Sequence, residues 1–260
     1  MTMTYGDYLK IPELLSLQRP LSEGREHDET LFIVIHQVYE LWFKQQIHEA
    51  VFLQRMLEAG DDPTSLATLK RMLTILKTMV GQIDVLETMS PVSFLSFRSL
   101  LSNASGFQSC QFREFEFILG NRRAAAIERY PEGSAERASL VKRMGEITLW
   151  QSFLKRLQRD GHPVPEALVS QPLRALPESN EIVQKVLLDI YHNHPHTRML
   201  CELMVDLDEG IQEWRYRHVK MVERTIGARM GTGGSPGAAY LRATLFTPLF
   251  EDLWSIRDRI

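Results

Sequence analysis

Three observations predict an all-α fold. Apolar residues recur at helical spacing through nearly every long segment, cap residues and prolines punctuate those segments, and strand alternation and hairpin turns are almost absent. Residues 29–59 form the first long helix, opened by Asp28 as N-cap and ended near Gly60. Asp62-Pro63 starts a second, which runs through LATLKRMLTILKTMVGQIDVLETM with Gly81 as a weak interior point. Ser90-Pro91 pairs a cap with a proline at the first helical position, so PVSFLSFRSLL is a third. The small and turn-forming residues of Leu101–Ser109 make a loop, after which QFREFEFILG resumes the helical pattern. Residues 134–160 are amphipathic, and the proline-rich 163–177 is an irregular connector. Helices follow at about 180–192 and 196–227, with Pro195 marking the break. A glycine-dense loop, 231–237, precedes a last apolar stretch from Ala238, and Ser235-Pro236 offers a further cap and first position.

No repeat, low-complexity tail or composition break divides the 260 residues, so the chain is expected to be one domain, 1–260, with 163–177 linking helices inside it. Apolar content of 44% and charged content of 24% are those of an ordinary soluble protein. A net charge of −3 creates no field to gather nucleic acid or anionic lipid, so neither is an expected partner. The start, MTMTYGDYLKIPELL, lacks the basic-then-apolar order of a signal peptide, and no apolar run approaches the ~18 residues of a membrane span. The only cysteines, Cys110 and Cys201, are far apart, which fits a reducing compartment. The expectation is a cytoplasmic protein.

Two histidines carry the chemistry. His36 shares a helical stripe with Phe32, Ile33, Tyr39 and Phe43; His218 shares one with Trp214, Met221, Val222 and Thr225. A titratable ring on an apolar face needs a hydrogen-bond partner, a metal or a catalytic task, and for either histidine alone a satisfied core residue is the commoner outcome. Zinc fits poorly, because no second ligand recurs three or four residues away beyond the single Glu40 after His36. Haem needs one protein ligand and leaves its other face open. His192-x-His194-x-His196 is superficially metal-like, but its place around Pro195 at a helix end is that of a solvated turn, and no site is assigned to it.

Arg98, flanked by Phe94, Leu95 and Phe97, must pair with an anion or reach solvent, and a structural salt bridge is the expectation from the residues alone. The 231–237 loop could present free backbone N–H groups to an anion or simply connect helices; it lacks the lysine and preceding strand of a P-loop. Tyr5 and Tyr8 near the chain start pack either on their own domain or into a partner subunit.

Five segments in this order resemble the tryptophan 2,3-dioxygenase family: YGDYL, HDETLFIVIHQVYELWFKQ, VLETMSPVSFLSFRSLLSNASGFQSCQFR, WRYRHVKMVERTIG and GTGGSPGAAYL, spanning nearly the whole chain. The resemblance implies a single helical-bundle domain of the tryptophan/indoleamine dioxygenase type that holds haem b. It assigns His218 as the proximal iron ligand and His36 as the distal histidine at the indole N–H. Arg98 falls on the partner of the substrate carboxylate, Thr232 on the loop residue that holds the amino-acid head group, Phe32 and Phe94 on walls of the indole pocket, and Ser105 beside the haem. Tyr5, Tyr8 and Leu9 match residues that reach a neighbouring subunit's pocket, which implies that segment 1–20 crosses to another chain of a homotetramer. The implied reaction inserts both atoms of O2 across the indole C2–C3 bond of L-tryptophan to give N-formyl-L-kynurenine, the opening step of kynurenine-pathway catabolism.

Relatives with this scaffold also monooxygenate tryptophan derivatives in natural-product biosynthesis, giving a 2-oxindole or a hydroxylated ring, and the ligand, distal histidine and carboxylate clamp would be common to both outcomes. A haem carrier is a third reading, against which Arg98 and Thr232 argue, since a carrier has no use for an amino-acid clamp. A helical scaffold without cofactor is the fourth.

Overall fold

The computed structural model describes residues 2–23, 26–232 and 237–260, and among these the chain is helical, without a strand. Its elements are α1 (Tyr5–Leu9), α2 (Ile11–Leu15), α3 (Asp28–Ala59), α4 (Asp62–Leu86), α5 (Pro91–Phe97), α6 (Cys110–Leu119), α7 (Ala124–Ile127), α8 (Ala135–Met144), α9 (Leu149–Arg159), α10 (Glu181–Asn193), α11 (Pro195–Ile226), α12 (Ala238–Arg242) and α13 (Glu251–Ser255). Short 3-10 turns cover 98–101, 106–108, 166–168 and 257–259.

The two 32-residue helices, α3 and α11, form the frame, with α4 packed against both. α6 and α9 lie on α3, and α10 and α12 lie on α11. The main core runs through α3, α4, α6, α9, α10 and α11, with Leu53, Leu57, Leu69, Met72, Phe153, Leu187, Leu200 and Leu207 essentially inaccessible. Two glycines mark tight points of the frame. Gly60 ends α3 at φ 72°, the left-handed cap that lets the chain reverse into α4. Gly210 lies where α11 crosses α4, and a Cβ there would stand 2.6 Å from the Leu76 side chain.

Capping explains most of the boundaries. Asp61 accepts from the Thr64 amide to open α4, and Ser90 accepts from the Ser93 amide to open α5. Three sequence expectations are corrected, and one stretch left open is divided. Asp28 is the first residue of α3, and His27 occupies the cap position without a side-chain bond. The 91–101 helix turns 3-10 at Arg98. The amphipathic 134–160 stretch is two helices, because Thr148 and Gln151 form a capping box that starts α9 afresh after Gly145. Pro195 is the first residue of α11 rather than a gap before it. Ser235-Pro236 lies outside the described residues.

Buried charge fastens the periphery. Arg122, only 3% exposed, donates to the carbonyls of Phe117, Met144, Leu173 and Glu146, tying the ends of α6 and α8 to the connector. Burial pushes its guanidinium down to about 10, still charged at neutral pH. Asp208 on α11 accepts from the amides of Leu249 and Phe250 and from the Trp254 indole, holding the chain end against the frame.

Candidate functional site

α3, α5, α6 and α11 enclose a cavity of about 250 Å³, and its walls include seven of the residues singled out in the sequence: Phe32, His36, Phe94, Arg98, Ser105, His218 and Thr232. These come from five separate stretches of chain, so only the fold brings them together. Tyr5, Tyr8 and Leu9 are not among them. They lie on α1 at 77%, 73% and 42% exposure, their apolar surface facing solvent within this single chain.

His36 is fixed by its own helix. Its Nδ1 lies 2.7 Å from the carbonyl oxygen of Phe32, one turn back, and the Phe32 ring stands 4.1 Å from the imidazole. A carbonyl can only accept, so Nδ1 carries the proton and Nε2 of the neutral ring is left with its lone pair. Burial lowers the pKa of His36, outweighing the Phe32 carbonyl and the nearby Glu40, which favour the proton. The ring therefore offers an acceptor at neutral pH. Glu40 is itself held by the Gln111 amide at 2.9 Å.

His218 sits on α11 with its ring parallel to that of Trp214, centroids 5.4 Å apart and planes at 7°. Burial, with His36 and Arg113 adding to it, drives its pKa down to about 4. A neutral imidazole with a free nitrogen lone pair is the form that ligates a metal.

Arg98 has no carboxylate within ion-pair distance among the described residues, which overturns the expected structural salt bridge. One Nη donates to the carbonyl of Met230, and Nε is buried without a partner. Thr232 donates its hydroxyl to the carbonyl of Ala104 at 2.6 Å, so these two bonds stitch 98–104 to 230–232 beside the cavity. Ser105 accepts from the Phe107 amide at 3.3 Å, capping the 3-10 turn that follows. Phe32, Phe94 and Phe97 form an apolar wall with ring centroids 5.6–5.7 Å apart.

A second polar group was not read from the sequence. Glu116 on α6 is only 3% exposed and takes Arg113, Arg123 at 3.3 Å and Arg215 at 2.8 Å, with Asn121 at 3.2 Å. Three guanidinium groups on one carboxylate leave a surplus of positive charge, and all four side chains line the cavity. The available signal was Arg113 and Glu116 three residues apart on the phenylalanine-rich face of α6, with Arg215 beside Trp214.

These features fit a flat apolar group that carries carboxylates and a metal. The wall is largely hydrophobic, His218 presents a neutral imidazole, and charge on the protein side is cationic. Among the described residues, three buried nitrogens of wall residues lack any partner: Arg98 Nε, Arg123 Nε and Trp214 Nε1. Unmet donors in a cationic cavity call for acceptor oxygens from a bound molecule.

The similarity of this chain to known proteins runs along its whole length. The family model described as tryptophan 2,3-dioxygenase matches residues 1–161 and 158–260. The chain is 56% identical to a tryptophan 2,3-dioxygenase of Anaeromyxobacter sp. (strain K), over 99% of this chain and 96% of that protein. It is 53% identical to the enzyme of that name from Herpetosiphon aurantiacus, over 98% and 97% of the two chains. With the one from Caulobacter vibrioides the identity is 38%, over 99% and 98%.

Proposed function

The chain belongs to the tryptophan 2,3-dioxygenase family, and on that premise we propose that it cleaves the indole C2–C3 bond of L-tryptophan with O2, giving N-formyl-L-kynurenine, with haem b as cofactor. Both atoms of O2 enter the product, so no external reductant is consumed in the net reaction. The observation that carries this reading is a single cavity lined by two histidines from different helices and by an arginine without a carboxylate partner among the described residues.

His218 holds the iron through its neutral ring. Bound there, haem supplies the dioxygen chemistry that no side chain possesses. Every other task belongs to the chain. Arg113, Arg123 and Arg215 furnish cationic surroundings that would suit haem carboxylates, and Ser105, on the same cavity wall, would stand beside that group. Phe32 and Phe94 confine the indole ring and exclude water. Arg98 takes the substrate carboxylate in a bidentate grip, and Thr232 orients the amino-acid head group with its remaining lone pairs. His36 Nε2 accepts the indole N–H, which sets the ring's orientation.

The segment 1–20 of this one-domain chain reaches a neighbouring subunit, Tyr5, Tyr8 and Leu9 entering the pocket of a partner in a homotetramer. Their exposure in the single chain supports that role. A cytoplasmic location is supported by two free cysteines, one of them fully buried. Among the described residues no helix is long and apolar enough to cross a membrane.

Product mass tests the proposal. The haem-loaded protein is reduced without oxygen, given L-tryptophan, then exposed to air. A product heavier than tryptophan by two oxygen atoms is expected. A gain of one oxygen, or none, would overturn the assigned reaction.

A further inference from the structure

Away from the cavity, one group of three potential metal ligands stands among the described residues: His162, Asp189 and His194, whose donor atoms all lie within 4.8 Å of one another. They come from three places in the fold. His162 follows Gly161 in the turn after α9, Asp189 lies in the last turns of α10, and His194 is the hinge residue between α10 and Pro195 of α11. The sequence hid this arrangement. His194 was grouped there with His192 and His196, both of which are exposed, while its real neighbours are an aspartate five residues earlier and a histidine 32 residues earlier.

We propose that His162, Asp189 and His194 form a surface site for a divalent transition-metal cation of the zinc class, clamping the end of α9 to the α10–α11 junction.

The geometry already has one edge of a tetrahedral site. His194 Nε2 and Asp189 Oδ2 are 3.3 Å apart, and donors at about 2.0–2.1 Å from a tetrahedral zinc stand about 3.3–3.4 Å from each other. The His162 and His194 rings meet edge to face with centroids 5.0 Å apart, so the third donor faces the same space. A side-chain torsion of the exposed His194–Asp189 pair closes the remaining distance.

Supporting contacts hold the ligands in place. Asn193 donates to Asp189 Oδ1 at 2.7 Å, which anchors one carboxylate oxygen and leaves the other for a cation. Pro195 restricts the backbone of His194, which lies outside the helical region at φ −124° and ψ 76°. His162 is pinned on both sides, its amide donating to the Leu157 carbonyl at 3.1 Å and its carbonyl accepting from Val164 at 2.8 Å. Two imidazoles and one carboxylate select zinc, nickel or copper over calcium or magnesium, which take oxygen ligands, and water completes the shell.

Isothermal titration of ZnCl2 into the tag-free, haem-loaded full-length protein after chelator treatment tests the site. One equivalent of Zn2+ per chain is expected. His162→Ala, His194→Ala and Asp189→Asn should each weaken it about 10-fold or more, since even outer-shell changes cost metal sites that much. His192→Ala, His196→Ala and His36→Ala should leave the isotherm as it is. Zn2+ should raise the Tm of the unmodified protein and not that of the three ligand variants, whose unchanged haem spectrum reports an intact fold. Absence of stoichiometric binding, binding that survives all three ligand substitutions, or equal loss in His192→Ala overturns the proposal.

Discussion

Replacing Arg98 with alanine separates a carboxylate clamp from a structural latch. Of the guanidinium's donors, one Nη is committed to the Met230 carbonyl, and Nε is buried and unused. The free edge can therefore take a carboxylate through two parallel bonds. Charge-assisted hydrogen bonds contribute about 1.5–3 kcal/mol net, so losing the clamp should lower kcat/KM for L-tryptophan roughly 10- to 150-fold. Lysine keeps the charge but not the fork, and Arg98→Lys should fall between alanine and the unmodified enzyme. The decisive comparison uses tryptamine, which is tryptophan without its carboxylate. For the unmodified enzyme, changing substrate should cost about what Arg98→Ala costs; in the variant, the two substrates should perform nearly alike. Steady-state rates of the four combinations form a double-mutant cycle. If Arg98→Ala damages turnover of both substrates by the same factor, its role is to hold 230–232 through Met230, and the clamp is refuted.

Three further predictions concern the groups around that clamp. His36→Ala removes one neutral acceptor, worth about 0.5–1.5 kcal/mol, so turnover should fall roughly 2- to 13-fold with haem content unchanged; a loss beyond about 10³ would point to obligatory proton abstraction instead. Glu116→Gln strips the buried counter-charge from Arg113, Arg123 and Arg215; breaking such a pair costs about 3–5 kcal/mol, or roughly 6–20 °C in a chain of this size, and a Tm shift under about 2 °C would contradict the network. Glu29 accepts from the Leu21 and Ser22 amides at 2.6 and 2.8 Å, fastening the N-terminal arm to α3. Burial alone would raise its pKa, but those bonds outweigh it and hold the carboxyl below its ordinary 4.5. The arm's attachment should thus be complete above that value and weaken as pH falls below it, because the detached chain binds the proton first. Limited proteolysis should show arm cleavage rising at low pH and, at neutral pH, in Glu29→Ala; a pH-independent pattern would remove Glu29 from this role.

What could be read from the sequence follows the range of the forces involved. α3, α4, α10 and α11 were legible because each combines a long apolar stripe with a terminal signal such as Gly60, Asp62-Pro63 or Pro195. Amphipathicity alone left the division of 134–160 open; the capping box of Thr148 and Gln151 sets it. Among the residues proposed for the pocket, His36 and His218 stood out as polar rings on apolar faces, and Arg98 and the 231–237 loop as anion-seeking features; Phe32, Phe94 and Ser105, and the substrate roles of all of them, came from resemblance. Contacts between distant segments left no local mark. The Met230 carbonyl that holds Arg98, Arg215 on Glu116, and His162 beside His194 are separated by tens of residues or more in the chain, and only packing reveals them.

Resonance Raman spectroscopy of the ferrous, oxygen-free, haem-loaded protein tests most directly whether the cavity between α3 and α11 holds haem through one α11 imidazole. An iron–imidazole stretching band should appear in the unmodified protein, persist in His36→Ala and vanish in His218→Ala. A band that survives loss of His218, or disappears only with His36, would contradict the account.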